Sequence, residues 1–147
     1  VVSHSGEVSN DDYASIKQQL QALLDDDVSF KKFTGNFLTN AKHDLDIMLP
    51  DEPFTHEEVA QLLTTHAVKR LGGLRAFYFE NSIDNGLFYI NGDEEQFEHD
   101  IAPAVKLLCD NVLLQPKDLT LWFQHSSFIA LMLDLLNQGY WFLAESE

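Results

Sequence analysis

SFIALMLDLLNQGYWF, residues 127–142, is the stretch on which the reading of the fold turns. Phe128, Ile129, Leu131, Met132, Leu133, Leu135 and Leu136 nearly encircle a helix expected from Phe128 to Asn137, with Ser126 or Ser127 available as its cap. A helix that is apolar all round has no face to offer water, so it belongs at the centre of a domain. Gly139 supplies the stop, and the aromatic run YWFL at 140–143 is suited to an extended strand. A central helix running straight into a strand points to an α+β chain, mostly helical, with a small antiparallel sheet.

Working upstream, Pro116 opens a short helix carrying Leu119, Trp122 and Phe123. Before it, Ile101, Val105, Leu108 and Val112 mark another helix, with Pro103 tolerated in the first turn. VKRLGGLRAFYFE reads as extended and pairs with LFYING at 87–92 across a turn at Asp84-Asn85-Gly86. An acidic loop follows, and YWFL is expected to add a strand to this hairpin. Gly72-Gly73 has neither the spacing of a phosphate loop nor a helix directly after it, and is read as a bend. Thr55 and Glu58 form a capping box for a helix whose inner face is Val59, Leu62 and Leu63. The order of elements over 55–147 is that of a winged-helix-like module.

LDIMLPDEPF, residues 45–54, holds two prolines and no period, and is read as a linker. On its other side two amphipathic helices are expected within residues 11–44. Ile16, Leu20, Leu23 and Leu24 line the first, capped by Asn10 or Ser9; Phe30, Phe33, Phe37, Leu38 and Ala41 line the second, capped by Asp27. So short a connection favours an antiparallel helical hairpin. Two such helices cannot bury both apolar faces by themselves, so Ile16, Leu20, Leu24, Phe30, Phe33 and Phe37 are candidate interface residues. Residues 1–10 are polar and aperiodic and are read as a flexible tail. A start on Val1 rather than methionine suits a piece of a longer protein.

Twenty-four acidic and nine basic residues give a net charge of −15, which repels phosphate backbones and favours basic protein partners over DNA. A single cysteine, Cys109, excludes an internal disulfide framework and fits a reducing cytoplasm, where it serves as a small apolar group. No stretch is apolar enough for a membrane span.

The sharpest catalytic candidate is His56, Glu58 and His125, since H-x-E with a later His imitates a two-His-one-carboxylate metal triad. On a helix, however, residues two apart diverge, so Glu58 is better read as a cap and His56 as a surface residue. His43 is read as a cation in the last turn of a helix, and His99, beside Glu98 and Asp100, as part of a solvated charge cluster. No catalytic, cofactor-binding or metal-binding residue is assigned.

FKKFTGNFLTNAKHDLDI, then VKRLGGLRAF, then SFIALMLDLLNQGYWF, with RLGGLR and NQGYWF the most specific pieces, together resemble the C-terminal region of bacterial cupin-like JmjC-type oxygenases. Those enzymes hydroxylate an arginine of a ribosomal protein. The resemblance implies a parent with an Fe(II)- and 2-oxoglutarate-dependent barrel, a helical dimerisation region and a winged helix. Residues 11–44 would belong to the dimerisation region and 55–143 to the winged helix. No H-x-D occurs, so no iron ligand is carried over. The resemblance therefore implies a non-catalytic C-terminal portion of a ribosomal-protein hydroxylase, a homodimer through its helical pair, with a basic ribosomal protein as the parent's substrate. A stand-alone acidic winged-helix adaptor for a basic protein is the alternative.

Overall fold

A computed structural model describes residues 6–40, 45–80 and 83–146. The readings of residues 1–5 as a tail, of Ala41 on a helix face and of His43 in a helix last turn lie outside the described residues. The chain divides into two compact units, Val1–Thr34 and Gly35–Glu147.

The first unit holds helix α1 (Asn10–Asp25) and the start of α2 (Asp27–Thr39). Ser9 caps α1 by accepting a hydrogen bond from the Asp12 N–H. Asp26, rather than the expected Asp27, does the same for α2: its carboxylate accepts from the Ser29 N–H and hydroxyl, which also holds its own pKa below the usual range. A cap residue needs extended backbone, and Asp26 has it, at φ −94° and ψ 100°. No residue of α1 is buried. Leu20, Leu24 and Phe33 are all more than half exposed, so the anticipated packing of the phenylalanines on the α1 leucines is not formed within this unit.

The second unit is built from α3 (His56–Leu62), β1 (His66–Arg70), β2 (Ala76–Phe77), β3 (Leu87–Ile90), β4 (Asp93–Gln96), α4 (Ala102–Asp110), β5 (Leu113–Leu114), α5 (Ser126–Asn137) and β6 (Trp141–Glu145). The strands form two antiparallel sheets, ordered β5-β1-β6 and β2-β3-β4. The α5 helix is central as anticipated, burying Phe128, Ile129, Met132, Leu135 and Leu136 against a core that includes Val59, Leu63, Phe88, Val105 and Trp141.

Four readings need correction. The extended run after Val68 is two strands in different sheets, because Gly73 turns the chain at φ +83°, a conformation open to glycine. The YWFL strand pairs with β1, matching Arg70 to Trp141 and Lys69 to Phe142, and not with the hairpin. The other edge of the hairpin is taken by β4, where the sequence suggests an acidic loop. Its turn is Asn91-Gly92, both at positive φ (47° and 84°), the backbone of a two-residue hairpin turn. The helix expected at Pro116 is two short 3₁₀ turns, Pro116–Asp118 and Thr120–Trp122.

The 45–54 stretch is tied to this unit. Asn137 and Phe54 exchange two hydrogen bonds, Phe54 N–H to Asn137 Oδ1 at 2.8 Å and Asn137 Nδ2 to the Phe54 carbonyl at 3.2 Å. Leu45 and Phe54 pack against the core. A methyl group at Gly139 would press on Ile47 and the Met48 carbonyl, both 2.9 Å away.

Candidate functional site

Two surfaces stand out, and each follows from local sequence. The first is apolar. Heptad-like spacing strings Ile16, Leu20 and Leu24 along α1, and Phe30, Phe33 and Phe37 along α2. In the first unit Ile16, Leu20, Leu24 and Phe33 are 52–59% exposed and Phe30 36%; in the second, Phe37 is 70% exposed. Large side chains at these exposures on consecutive turns are unusual on a surface meant to face water.

The last turns of α2, which belong to the second unit, are held against β3. Gly35 and Thr39 are its buried residues. A side chain at Gly35 would overlap the Tyr89 ring, so only glycine lets the helix approach β3 this closely. The Thr39 hydroxyl donates to the Gly35 carbonyl at 2.8 Å and accepts from the Gly92 N–H at 2.9 Å. Tyr89 is fixed in turn by donating to Glu94 at 2.9 Å and by edge-on contact with Phe79. Burial and the Glu94 carboxylate push its phenol up to about 12.

The second surface is an open groove of about 940 Å³ between the end of β4 and the start of α5. Phe97, Ala130 and Leu131 supply apolar lining, and Glu98, His99, Asp100 and His125 supply charge or polarity. His125 Nδ1 lies 3.9 Å from Asp100. Glu95, next to this groove on β4, has its pKa raised by burial and by the neighbouring charges of Asp93 and Asp134.

The metal-triad candidates go separate ways. Glu58 accepts from the Thr55 N–H and closes the capping box, His56 Nε2 lies 3.4 Å from the Ser126 carbonyl, and His125 faces Asp100. Among the described residues no three His, Cys, Asp or Glu side chains are grouped to hold a metal ion. The donor set among the described residues does not fit an iron centre. Nor is any helix among the described residues long and apolar enough to cross a membrane.

With the helices, paired sheets and surfaces in place, the class of the domain is defined: residues 22–142 match the ROXA-like winged helix, and the chain belongs to that family. It is 28% identical over 141 residues to the ribosomal protein uL16 3-hydroxylase of Escherichia coli K12, covering 95% of this chain and 36% of that protein, in its C-terminal part. The structure of the E. coli ribosomal oxygenase YcfD superposes with a TM-score of 0.73 at 27% identity, over 97% of this chain and 38% of that one. The same holds for YcfD in complex with cobalt and 2-oxoglutarate. The chain thus spans little more than a third of the length of these oxygenases; it matches their winged-helix part and not their catalytic part.

Proposed function

We propose that these 147 residues are the non-catalytic C-terminal portion of a ribosomal-protein hydroxylase, acting in the cytoplasm to join two copies and to contact a basic ribosomal protein. The helical pair within 11–44 is the dimerisation region, and 55–147 is an acidic winged helix turned to protein contact. The catalysis that the resemblance implies, with its iron and 2-oxoglutarate, belongs to the rest of such a protein. The observation that carries this reading is the exposed apolar series Ile16, Leu20, Leu24, Phe30, Phe33 and Phe37 on a chain of that family. A second copy offering the same series is a self-complementary cover for it.

Sedimentation velocity on the 147-residue chain tests this. A dimer is expected at micromolar concentration, and Leu20→Glu with Phe33→Glu should return it to monomer with unchanged circular dichroism. A wild-type chain that stays monomeric at about 100 μM, where even a weak interface of this kind associates, would remove the dimerisation reading.

A further inference from the structure

We infer that the groove between β4 and α5 is a docking site for an extended basic peptide segment, one that places arginine or lysine against Glu98 and Asp100 and an apolar side chain against Phe97 and Leu131. This deepens, and rests on, the reading of the winged helix as a protein-contact module.

Three features favour that occupant. The groove is long enough in volume, at about 940 Å³, for several residues of peptide, and its lining contains no lysine or arginine. Its carboxylates are not already neutralised by strong cations: the ion pairs among the described residues are Lys31 with Asp27 and His125 with Asp100. The acidic character also continues past the groove. Asp93 and Glu95 on β4 and Asp134, one turn beyond Ala130 on α5, extend it; the Glu95 carboxyl is pushed up first by burial and then by the charges of Asp93 and Asp134, and only the charge part is relieved by an incoming cation. A peptide cation at Glu98 displaces no lysine or arginine, and at Asp100 it meets only the His125 ring 3.9 Å away, while Phe97 and Leu131, both half-buried, offer apolar contact that a free ion cannot use. Complementary charge together with an apolar contact selects a basic peptide over a metal ion or a nucleic acid.

The test uses the whole chain, labelled with ¹⁵N, and a twelve-residue synthetic peptide that alternates arginine with leucine and glycine. Amide shifts are expected to concentrate at residues 96–100 and 124–127. Glu98→Gln with Asp100→Asn should weaken binding about tenfold, whereas Asp11→Asn with Asp12→Asn, which removes equal charge from α1, should change it less than about twofold. Replacing arginine by citrulline in the peptide should abolish binding. Equal weakening by both double variants, or shifts spread over the surface, would mean diffuse attraction and overturn the inference. A basic ribosomal protein titrated in parallel separates the two claims. If it binds and the groove variant is indifferent, the groove assignment fails while the protein-contact reading stands; if neither it nor the peptide binds, both fail.

Discussion

Arg70 and Trp141 are register partners across the β1–β6 ladder, and the Arg70 guanidinium carbon stands 5.8 Å from the centre of the Trp141 ring. The same guanidinium donates to the Leu108 and Cys109 carbonyls at 3.2 and 3.1 Å, closing the end of α4. The first residue of RLGGLR and the fifth of NQGYWF thus form one joint between a sheet and a helix. That contact couples two short motifs that lie far apart in the sequence. Burial lowers the Arg70 pKa somewhat, yet a guanidinium stays charged at any ordinary pH.

Arg70→Met should therefore destabilise the chain by about 2–3 kcal/mol, since it leaves two helix-terminal carbonyls without their charged donor and removes the ring contact. Arg70→Lys keeps the charge but not the planar fork, and about half the loss is expected. Urea titration followed by Trp fluorescence reads both. A change under about 0.5 kcal/mol for Arg70→Met, the scale of an ordinary surface substitution, would show that the joint contributes little.

The two glycines of the same motif should behave differently. Gly73 sits at φ +83°, where a Cβ is strained, while Gly72 has nothing within 4 Å of a would-be Cβ and no positive φ. Gly73→Ala is expected to cost about 1 kcal/mol, and Gly72→Ala to be neutral or stabilising by a few tenths. Thermal melts of the two variants side by side decide this; equal effects would contradict the turn geometry.

The sequence made the central helix, the capping box at Thr55 and Glu58, the bend at Gly72-Gly73 and the exposed helical pair legible, because each is written in local spacing. Strand partners were not, since alternation fixes which face a residue takes and not which strand lies beside it. The β4 strand carries a mixed local signal: Asn91-Gly92 is a strong hairpin turn, but DEEQ after it lacks the β-branched and aromatic residues that mark strands. The groove was hidden for another reason. Its two walls are residues 96–100 and 124–131, and nothing in either predicts that they meet. His99 sits in a local charge cluster with Glu98 and Asp100, and the opposite wall that it faces comes from residues 124–131, further along the chain.

Gly35 gives a case where helix propensity and packing point in opposite directions. Alanine inside a helix is favoured over glycine by about 1 kcal/mol, but overpacking typically costs about 1–3 kcal/mol. The atoms in the way are Cγ and both Cδ of Tyr89, the fixed end of a ring held by Glu94 and Phe79. Packing should win, and Gly35→Ala should lower the urea midpoint. Thr39→Val should lower it as well, by stranding the Gly92 N–H. A Gly35→Ala chain more stable than wild type would mean that α2 does not lie this close to β3.

Alkaline stability tests the interior. Burial pushes the Cys109 thiol up to about 12, against only partial relief from Arg70, and Tyr89 rises to a similar value. The unfolded chain releases these protons at roughly 8.5 for the thiol and 10 for the phenol, so above those values it binds fewer protons than the folded chain. Fewer protons on the unfolded side means that stability falls as pH rises. It should be fully present below about pH 8, begin to fall through the ordinary thiol range and fall more steeply above about 10. Urea midpoints between pH 7 and 11 should follow that curve, and Cys109→Ala should flatten its first part and leave the second. Cys109 should also react slowly with a thiol reagent at pH 8 in the folded chain and rapidly in urea. Rapid modification of the folded chain, with a midpoint flat to pH 10, would place Cys109 in water rather than in the interior.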